Sequence, residues 1–198
     1  MDLKTFEAGA WAALKEAATD PQAGFRYLTL CTVDALAQPQ ARTVVLRQCA
    51  DDHRMLTFHT DVRSPKWQEM AANPQVTVLG YCHQRRLQLR LAGRVECYAA
   101  GSDVARKAWR ALPQHTRQTY TGGPPGDART TANEAPDPTS AETGESRFGV
   151  VIVRVSVLDA YQLQRNENQR ALFHYSSMGA LQESKWLNPR LTSGHVNG

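Results

Sequence analysis

The stretch of sequence that decides the fold covers residues 42–66 and reads RTVVLRQCADDHRMLTFHTDVRSPK. Two of its segments, residues 43–47 and 55–60, are rich in β-branched and apolar residues and are predicted to be strands. The polar residues CADDH between them predict a turn, so the two strands form an antiparallel hairpin. Ser64 followed by Pro65 is typical of an N-cap and the first residue of a helix.

Cationic and hydroxyl side chains are concentrated on this hairpin and at the predicted helix start. A phosphomonoester carries a charge of about −1.5 to −2, so it is bound by guanidinium, ammonium and hydroxyl groups near a helix N-terminus. Arg42, Ser64 and Lys66 supply these groups and form a candidate phosphate site. Spacing alone leaves a second interpretation open, because basic residues also flank strands on solvated surfaces. The full set is Arg42, Arg47, His59, Thr60, Arg63, Ser64 and Lys66.

Further strands and short helices are predicted on both sides of the hairpin. Apolar residues at helical spacing predict a helix over residues 3–18, which Asp20 and Pro21 end. The other predicted helices cover residues 64–72 and 101–113. Strands are predicted over residues 25–34, 75–83, 85–98, 147–165 (as one bent strand or two) and 170–177. Gly93, inside the strand over residues 85–98, predicts a bend or a bulge.

Six to seven antiparallel strands with short helices predict a mainly β fold, a β-barrel with peripheral helices. A dinucleotide-binding α/β fold is disfavoured, because the sequence has no GxGxxG motif and few long helices. Residues 122–146 contain no large apolar side chain, so they are predicted to be a disordered loop. The chain is expected to form a single domain over residues 1–198.

Composition narrows the function classes further. The four cysteines are widely spaced and the six histidines show neither HxH nor HExxH spacing, so no disulfide framework and no metal site is expected. Charged residues near the N-terminus, at Asp2, Lys4 and Glu7, are incompatible with the apolar core of a signal peptide. No uncharged run approaches the roughly 20 residues that span a bilayer. A soluble, cytoplasmic protein without a membrane partner is expected.

Two motifs in the opening stretch resemble a known cofactor signature. The pattern R-x-V-x-L-K/R fits RTVVLR at residues 42–47, and F-x-T-N/D-x-x-S-x-K fits FHTDVRSPK at residues 58–66. Together with Gln88 five residues before Gly93, they are similar to the flavin mononucleotide (FMN) signature of the pyridoxamine 5′-phosphate oxidase-like split-barrel family. The resemblance runs from about residue 25 to residue 175. It implies an FMN-binding split barrel and a homodimer with FMN at the subunit interface.

The resemblance also implies roles for individual residues. Arg42 and Lys66 would bind the FMN phosphate, Arg47 would lie near the flavin ring, and Gln88 would form a hydrogen bond with that ring. His59 stands where the family has tyrosine. The implied cofactor-binding set is Arg42, Thr43, Val44, Val45, Leu46, Arg47, His59, Thr60, Ser64, Lys66 and Gln88.

The substrate-binding part of the family pattern has diverged. Pro65 stands where pyridoxamine phosphate oxidases have an arginine, and residues 170–174 read RALFH in place of R-L-H-D-R. Arg170 and His174 are the candidate substrate-binding residues, and no catalytic residue is assigned. The sequence therefore supports cofactor binding better than it supports the oxidase activity itself.

Three function hypotheses follow. The first is an FMN-dependent oxidoreductase with an unidentified small substrate, reoxidised by dioxygen or reduced by a nicotinamide. The second is a non-enzymatic protein that binds a flavin, a deazaflavin or haem. The third, a nucleic-acid-binding barrel, ranks last because the net charge is only +4 and no strand is rich in aromatic residues. No nucleic-acid partner is therefore expected.

Overall fold

The structure, a computed structural model, describes residues 1–128, 141–165 and 167–189. The helices are α1 (Leu3–Thr19), α2 (Pro65–Ala72), α3 (Asp103–Ala111), α4 (Gln114–Gln118) and α5 (Ala141–Arg147). The strands are β1 (Tyr27–Val33), β2 (Pro39–Val45), β3 (Gln48–Ala50), β4 (Met55–Asp61), β5 (Gln75–Cys82), β6 (Leu87–Tyr98), β7 (Phe148–Gln162), β8 (Gln169–Tyr175) and β9 (Leu181–Leu187).

Strands β1–β9 belong to one antiparallel sheet, which is organised around β7. The sheet order is β2-β1-β5-β6-β7-β4-β3. β7 pairs with β6 along its length, while its other edge pairs first with β4 and then with β8, which carries β9. The sheet curls into a half-barrel with the helices at its periphery. The mainly β, split-barrel prediction is confirmed.

The structure divides the strands more finely than the sequence pattern did, with nine strands among the described residues in place of the six to seven predicted. After Val45 the chain leaves the β2 ladder, and Gln48–Ala50 forms a separate strand against β4. β9 was missed because most of its side chains are exposed, so it lacks an alternating apolar pattern. The prediction left open whether residues 147–165 form one strand or two, and the structure has the single strand β7.

The predicted loop over residues 122–146 differs in part from the structure. Its last six residues, 141–146, belong to α5. Residues 129–140 lie outside the described residues. The division of the chain into domains stays a prediction.

The main core lies between the inner face of the sheet and α1. Along β1, β5 and β6 alternate side chains are buried, as expected where one face of a sheet is packed. Helix α1 adds Phe6, Trp11 and Leu14, each at most 3% exposed. A second apolar cluster forms where α3 and the residues after α4 meet β7, and it contains Trp109, Leu112, Tyr120, Phe148 and Val150.

Within residues 1–128, 141–165 and 167–189, no helix combines the length and the apolar character that crossing a membrane requires.

Gly93 lies at a β-bulge, as the sequence predicted. The pairing of β6 with β7 shifts between Ala92 and Gly93. A Cβ atom on Gly93 would lie 2.1 Å from the carbonyl oxygen of Arg154, so no side chain fits without moving backbone. We expect Gly93→Ala to lower the free energy of unfolding by about 2–3 kcal/mol, measured by urea denaturation.

Gly9 provides the matched control for this substitution. It is inside α1, and a Cβ atom there would meet no heavy atom within 4 Å. Because alanine favours helix over glycine, Gly9→Ala should raise the free energy of unfolding by up to about 1 kcal/mol. If the two variants changed stability in the same direction, steric exclusion at the bulge would be refuted.

Candidate functional site

The turn between β4 and α2 places the hydroxyl groups of the candidate site. Ser64 is the N-cap of α2, as predicted, and Pro65 begins the helix. The Ser64 hydroxyl donates to the carbonyl of Asp61 at 2.6 Å and lies 3.3 Å from the Thr60 hydroxyl. Ser64 therefore makes no side-chain cap for α2. Pro65 has no N–H, and the Trp67 N–H donates to the Ser64 carbonyl at 3.0 Å. In the first turn of α2, the Lys66 N–H has no partner among the described residues and remains available to an anion.

Arg42 and Lys66 meet at this helix start. Arg42 projects from β2 towards α2, where its Nη2 atom donates to Glu69 Oε2 at 2.7 Å. The pKa of Lys66 is lowered, first by burial and then by the positive charge of Arg42. The two cations are thus close enough to repel each other, which is the arrangement expected of a site for a doubly charged anion.

Arg47 and His59 form a second polar pair. Arg47 Nε and His59 Nδ1 are buried and have no hydrogen-bond partner among the described residues. Burial lowers the pKa of His59 to about 4, and the positive charge of Arg47 adds to the effect. The His59 ring packs edge-on against Phe148, with centroids 5.0 Å apart. A bound group that reached both nitrogens would satisfy two polar atoms that otherwise carry a desolvation cost.

The residues between Arg42 and Arg47 alternate between the core and the outer face of the sheet. Val44 and Leu46 are 7% and 0% exposed and pack in the core, so only their backbone can face a ligand. Thr43 and Val45 lie on the outer face of β2, opposite Thr29 and Tyr27 of β1.

The remaining predicted residues lie on another part of the sheet. Gln88 and Arg170 flank Tyr161 of β7 from opposite sides and share its face of the sheet. Arg170 donates to Asp159 at 2.9 and 2.7 Å. His174 lies four residues further along β8, opposite Glu183 of β9. The described residues show no hydrogen bond or ion pair that joins this group to Arg42 or Lys66.

Asp159 explains why Arg170 is held on the sheet. This carboxylate is 4% exposed and also accepts a hydrogen bond from Arg90 at 2.9 Å. Burial by itself raises the pKa of Asp159, but the hydrogen bonds and charges of the two guanidinium groups outweigh it and lower the pKa. Arg170 therefore has a structural partner of its own.

Arg63, one of the clustered cations, is committed to other protein groups. Its guanidinium donates to both carboxylate oxygens of Asp61, at 3.0 and 2.6 Å, and to the carbonyl of Gly122 at 3.0 Å. Arg147 reaches the same segment, with bonds of 2.8 and 3.0 Å to the carbonyls of Thr121 and Gly122. The two arginines tie this segment to the turn before α2, an arrangement that no motif in the sequence signals.

Metal ligation has no support in the part of the chain that the structure describes. No group of three or more His, Cys, Asp or Glu side chains is placed there to hold an ion.

The buried imidazole of His59 predicts a pH-dependent stability in the protein without a bound ligand. Its pKa is about 4 in the folded state against 6.5 for the unperturbed group. Between these values the unfolded chain binds a proton that the folded protein does not, so stability falls as the pH falls. We expect wild type to lose about 2 kcal/mol more than His59→Gln between pH 7 and 4.5, measured by urea denaturation. Parallel pH profiles of the two proteins would contradict this assignment.

The sequence comparisons identify the relatives of this chain. Residues 8–99 match a family model described as the FMN-binding domain of pyridoxamine 5′-phosphate oxidase. A pyridoxine/pyridoxamine 5′-phosphate oxidase from Cupriavidus necator is 45% identical over 85 residues, which are 43% of this chain and 39% of the relative. That of Bordetella avium is 38% identical over 78 residues, 39% of this chain and 36% of the relative. The matched part spans about two fifths of the length of these curated relatives.

Solved structures share the fold. A protein from Nostoc punctiforme, described as pyridoxamine 5′-phosphate oxidase-related and FMN binding, has a TM-score of 0.79 and 23% identity, covering 96% of this chain and 100% of its own. PhzG from Burkholderia lata, solved with tetrahydrophenazine-1-carboxylic acid, has a TM-score of 0.66 and 13% identity, covering 94% and 90%. At these identities the likeness establishes the split-barrel fold.

Proposed function

We propose that this protein binds FMN and uses it to oxidise or reduce a small substrate, since residues 8–99 match the FMN-binding domain model of pyridoxamine 5′-phosphate oxidase. The observation that carries the proposal is the meeting of Arg42 and Lys66 at the start of α2. Two cations beside a helix N-terminus suit a phosphomonoester, whose charge is about −1.5 to −2.

The ring end of FMN is supported by the second polar pair. Arg47 Nε and His59 Nδ1 are buried without partners among the described residues, so both gain a hydrogen bond if the polar edge of the flavin ring reaches them. The imidazole is neutral above pH about 4 and the guanidinium is charged, so the pair offers one cation beside one neutral group. When bound, FMN supplies two-electron redox chemistry at its ring.

A homodimer is part of this proposal. The outer face of β1, β2 and β5 carries partly exposed apolar side chains, including Tyr27 (63% exposed), Val45 and Leu79. A second copy of the chain would cover this face. The face includes the paired residues Thr29 of β1 and Thr43 of β2, and Thr43 is next to Arg42 in the chain. Sedimentation analysis of the flavin-loaded protein tests this part of the proposal, and a monomer would contradict it.

The substrate is proposed to differ from pyridoxamine phosphate. Arg170, the residue kept from the family's substrate motif, is already paired with Asp159 at 2.7 Å. The segment after β6 packs Trp109, Leu112 and Tyr120 into an apolar cluster. We therefore expect little turnover of pyridoxamine phosphate or pyridoxine phosphate.

Flavin binding is tested first and turnover second. Protein purified with FMN should be yellow and should quench FMN fluorescence, and failure of both would refute the proposal. An anaerobic screen that follows flavin reduction by candidate donors, including reduced nicotinamides and both pyridoxine phosphates, then identifies the substrate. A protein that binds FMN but whose flavin no donor reduces, and whose photoreduced flavin no acceptor reoxidises, would be a flavin-binding protein without redox activity.

A further inference from the structure

An acidic side chain lies among the groups of the predicted phosphate site. Glu69 is on α2, three residues after Lys66, and its side chain is only 10% exposed. Its Oε2 atom accepts a hydrogen bond from Arg42 Nη2 at 2.7 Å and another from the Thr32 hydroxyl. The carboxylate therefore occupies one nitrogen of the guanidinium that is proposed to contact the phosphate.

Thr32 also holds the guanidinium of Arg42 in place. It is 3% exposed on β1, and its Oγ1 atom accepts a hydrogen bond from Arg42 Nη1. The same Nη1 atom also donates to the carbonyl of Leu30 at 3.4 Å. Nη1 and Nη2 of Arg42 are thus engaged by the protein. The Nε atom has no hydrogen-bond partner among residues 1–128, 141–165 and 167–189, so it remains available to a ligand.

The net positive charge of the site is smaller than the negative charge of its proposed ligand. Arg42 and Lys66 together would balance a phosphate dianion, but Glu69 reduces their sum to about +1. The negative charges of Asp61 and Glu69 oppose the lowering of the Lys66 pKa that burial and Arg42 produce. Glu69 therefore stabilises the two cations when no anion is bound, and it repels an anion that arrives.

We infer that Glu69 is an internal counter-ion of the phosphate site, which orients Arg42 in the empty protein and weakens the binding of the FMN phosphate. The inference rests on the proposed function. Its consequence is a cofactor that exchanges with free FMN. Riboflavin has the same ring without the phosphate, so its affinity should not depend on Glu69.

The test measures FMN and riboflavin affinities of wild type and Glu69→Gln by fluorescence quenching at low ionic strength. Glutamine keeps an acceptor for Arg42 but removes the charge. We expect FMN to bind about tenfold more tightly to Glu69→Gln, since the carboxylate removed is a like charge beside the phosphate in a partly buried site. Riboflavin affinity should stay unchanged, which also shows that the variant is folded.

Glu16→Gln is the matched control. Glu16 pairs with Arg85 at the same distance of 2.7 Å, but on the surface of α1. Its removal changes the net charge equally and should leave FMN affinity at the wild-type value. Glu69→Met, which removes the charge but keeps the bulk, is a second variant and should also bind FMN more tightly.

The outcomes separate the inference from the function on which it rests. Unchanged or weaker FMN binding in both Glu69 variants, with wild type binding FMN, would overturn the counter-ion role alone. An equal gain in Glu16→Gln would overturn it too, because the effect would then be one of overall charge. Wild type that binds neither FMN nor riboflavin would overturn the proposed function and the inference together.

Discussion

Replacing both Arg42 and Lys66 with alanine is expected to weaken FMN binding by about 3–6 kcal/mol, because each charge-assisted contact contributes about 1.5–3 kcal/mol. Both cations are partly buried at the start of α2, and burial lowers the pKa of Lys66. Charges held in such a place are screened less by solvent and salt than charges on an open surface. Removing these two cations should therefore weaken FMN binding more than removing two exposed cations does.

The measurement compares FMN with riboflavin in the double variant. The loss should be confined to FMN, since riboflavin lacks the phosphate that the two cations are proposed to bind. A control variant, Arg85→Ala with Lys107→Ala, removes the same charge from exposed positions on the β5–β6 turn and on α3. Retained FMN affinity in the Arg42 and Lys66 variant would show that the phosphate binds elsewhere.

We expect Arg63→Ala to weaken FMN binding less than the double variant does, as measured by the same fluorescence quenching. This cation is nearest in sequence to the phosphate site, but its charge is balanced by Asp61 at 2.6 Å. Its loss should act on the segment at Thr121 and Gly122, which Arg63 and Arg147 hold together. Counting basic residues in the motif would therefore overstate the charge that faces a ligand.

The hairpin and the bulge were predictable because their signals are local. Alternating apolar residues, the polar turn after Cys49 and the Ser64-Pro65 helix start lie within a few residues of one another. Gly93 signalled its bulge for the same reason, since glycine in a strand often marks a close backbone approach. The exposed edge strand β9 has no such pattern, and it was missed.

The partners of the site residues were not predictable, because they come from distant parts of the chain. Glu69 was overlooked since an acid on a short helix is usually solvated, and only the fold brings it to Arg42, 27 residues away. Asp159 lies in the middle of a strand, and its pairing with Arg90 and Arg170 follows from strand order. Local motifs predict which residues bind, whereas tertiary contacts determine how much charge those residues retain.

A buried ion pair attaches α1 to the barrel. Arg54 Nη2 lies 2.9 Å from Glu7 Oε1, with side chains 19% and 7% exposed. The contact is ionic, because Glu7 Oε1 has no partner of hydrogen-bond geometry among the described residues. The Arg54 guanidinium also lies 5.0 Å from the ring centroids of Trp11 and Tyr175. The arginine thus joins the β3–β4 turn to α1 and β8.

We expect Arg54→Ala to lower the free energy of unfolding by about 3–5 kcal/mol, because it leaves the Glu7 carboxylate buried without a counter-ion. Alanine keeps a Cβ atom at this position, where φ is 55°, so the backbone preference changes little. Urea denaturation at neutral pH measures the loss. Replacing both Glu7 and Arg54 with methionine should cost less than Arg54→Ala, because no charge then remains buried.

Lys15→Ala distinguishes the buried pair from an exposed one on the same two elements. Lys15 Nζ lies 2.9 Å from Asp51 Oδ1, the same distance as in the buried pair, but its side chain is 62% exposed. Water screens this pair, so its loss should leave the urea midpoint unchanged within error. Equal losses in Lys15→Ala and Arg54→Ala would mean that burial does not determine the strength of the attachment, and that α1 is held by its apolar face alone.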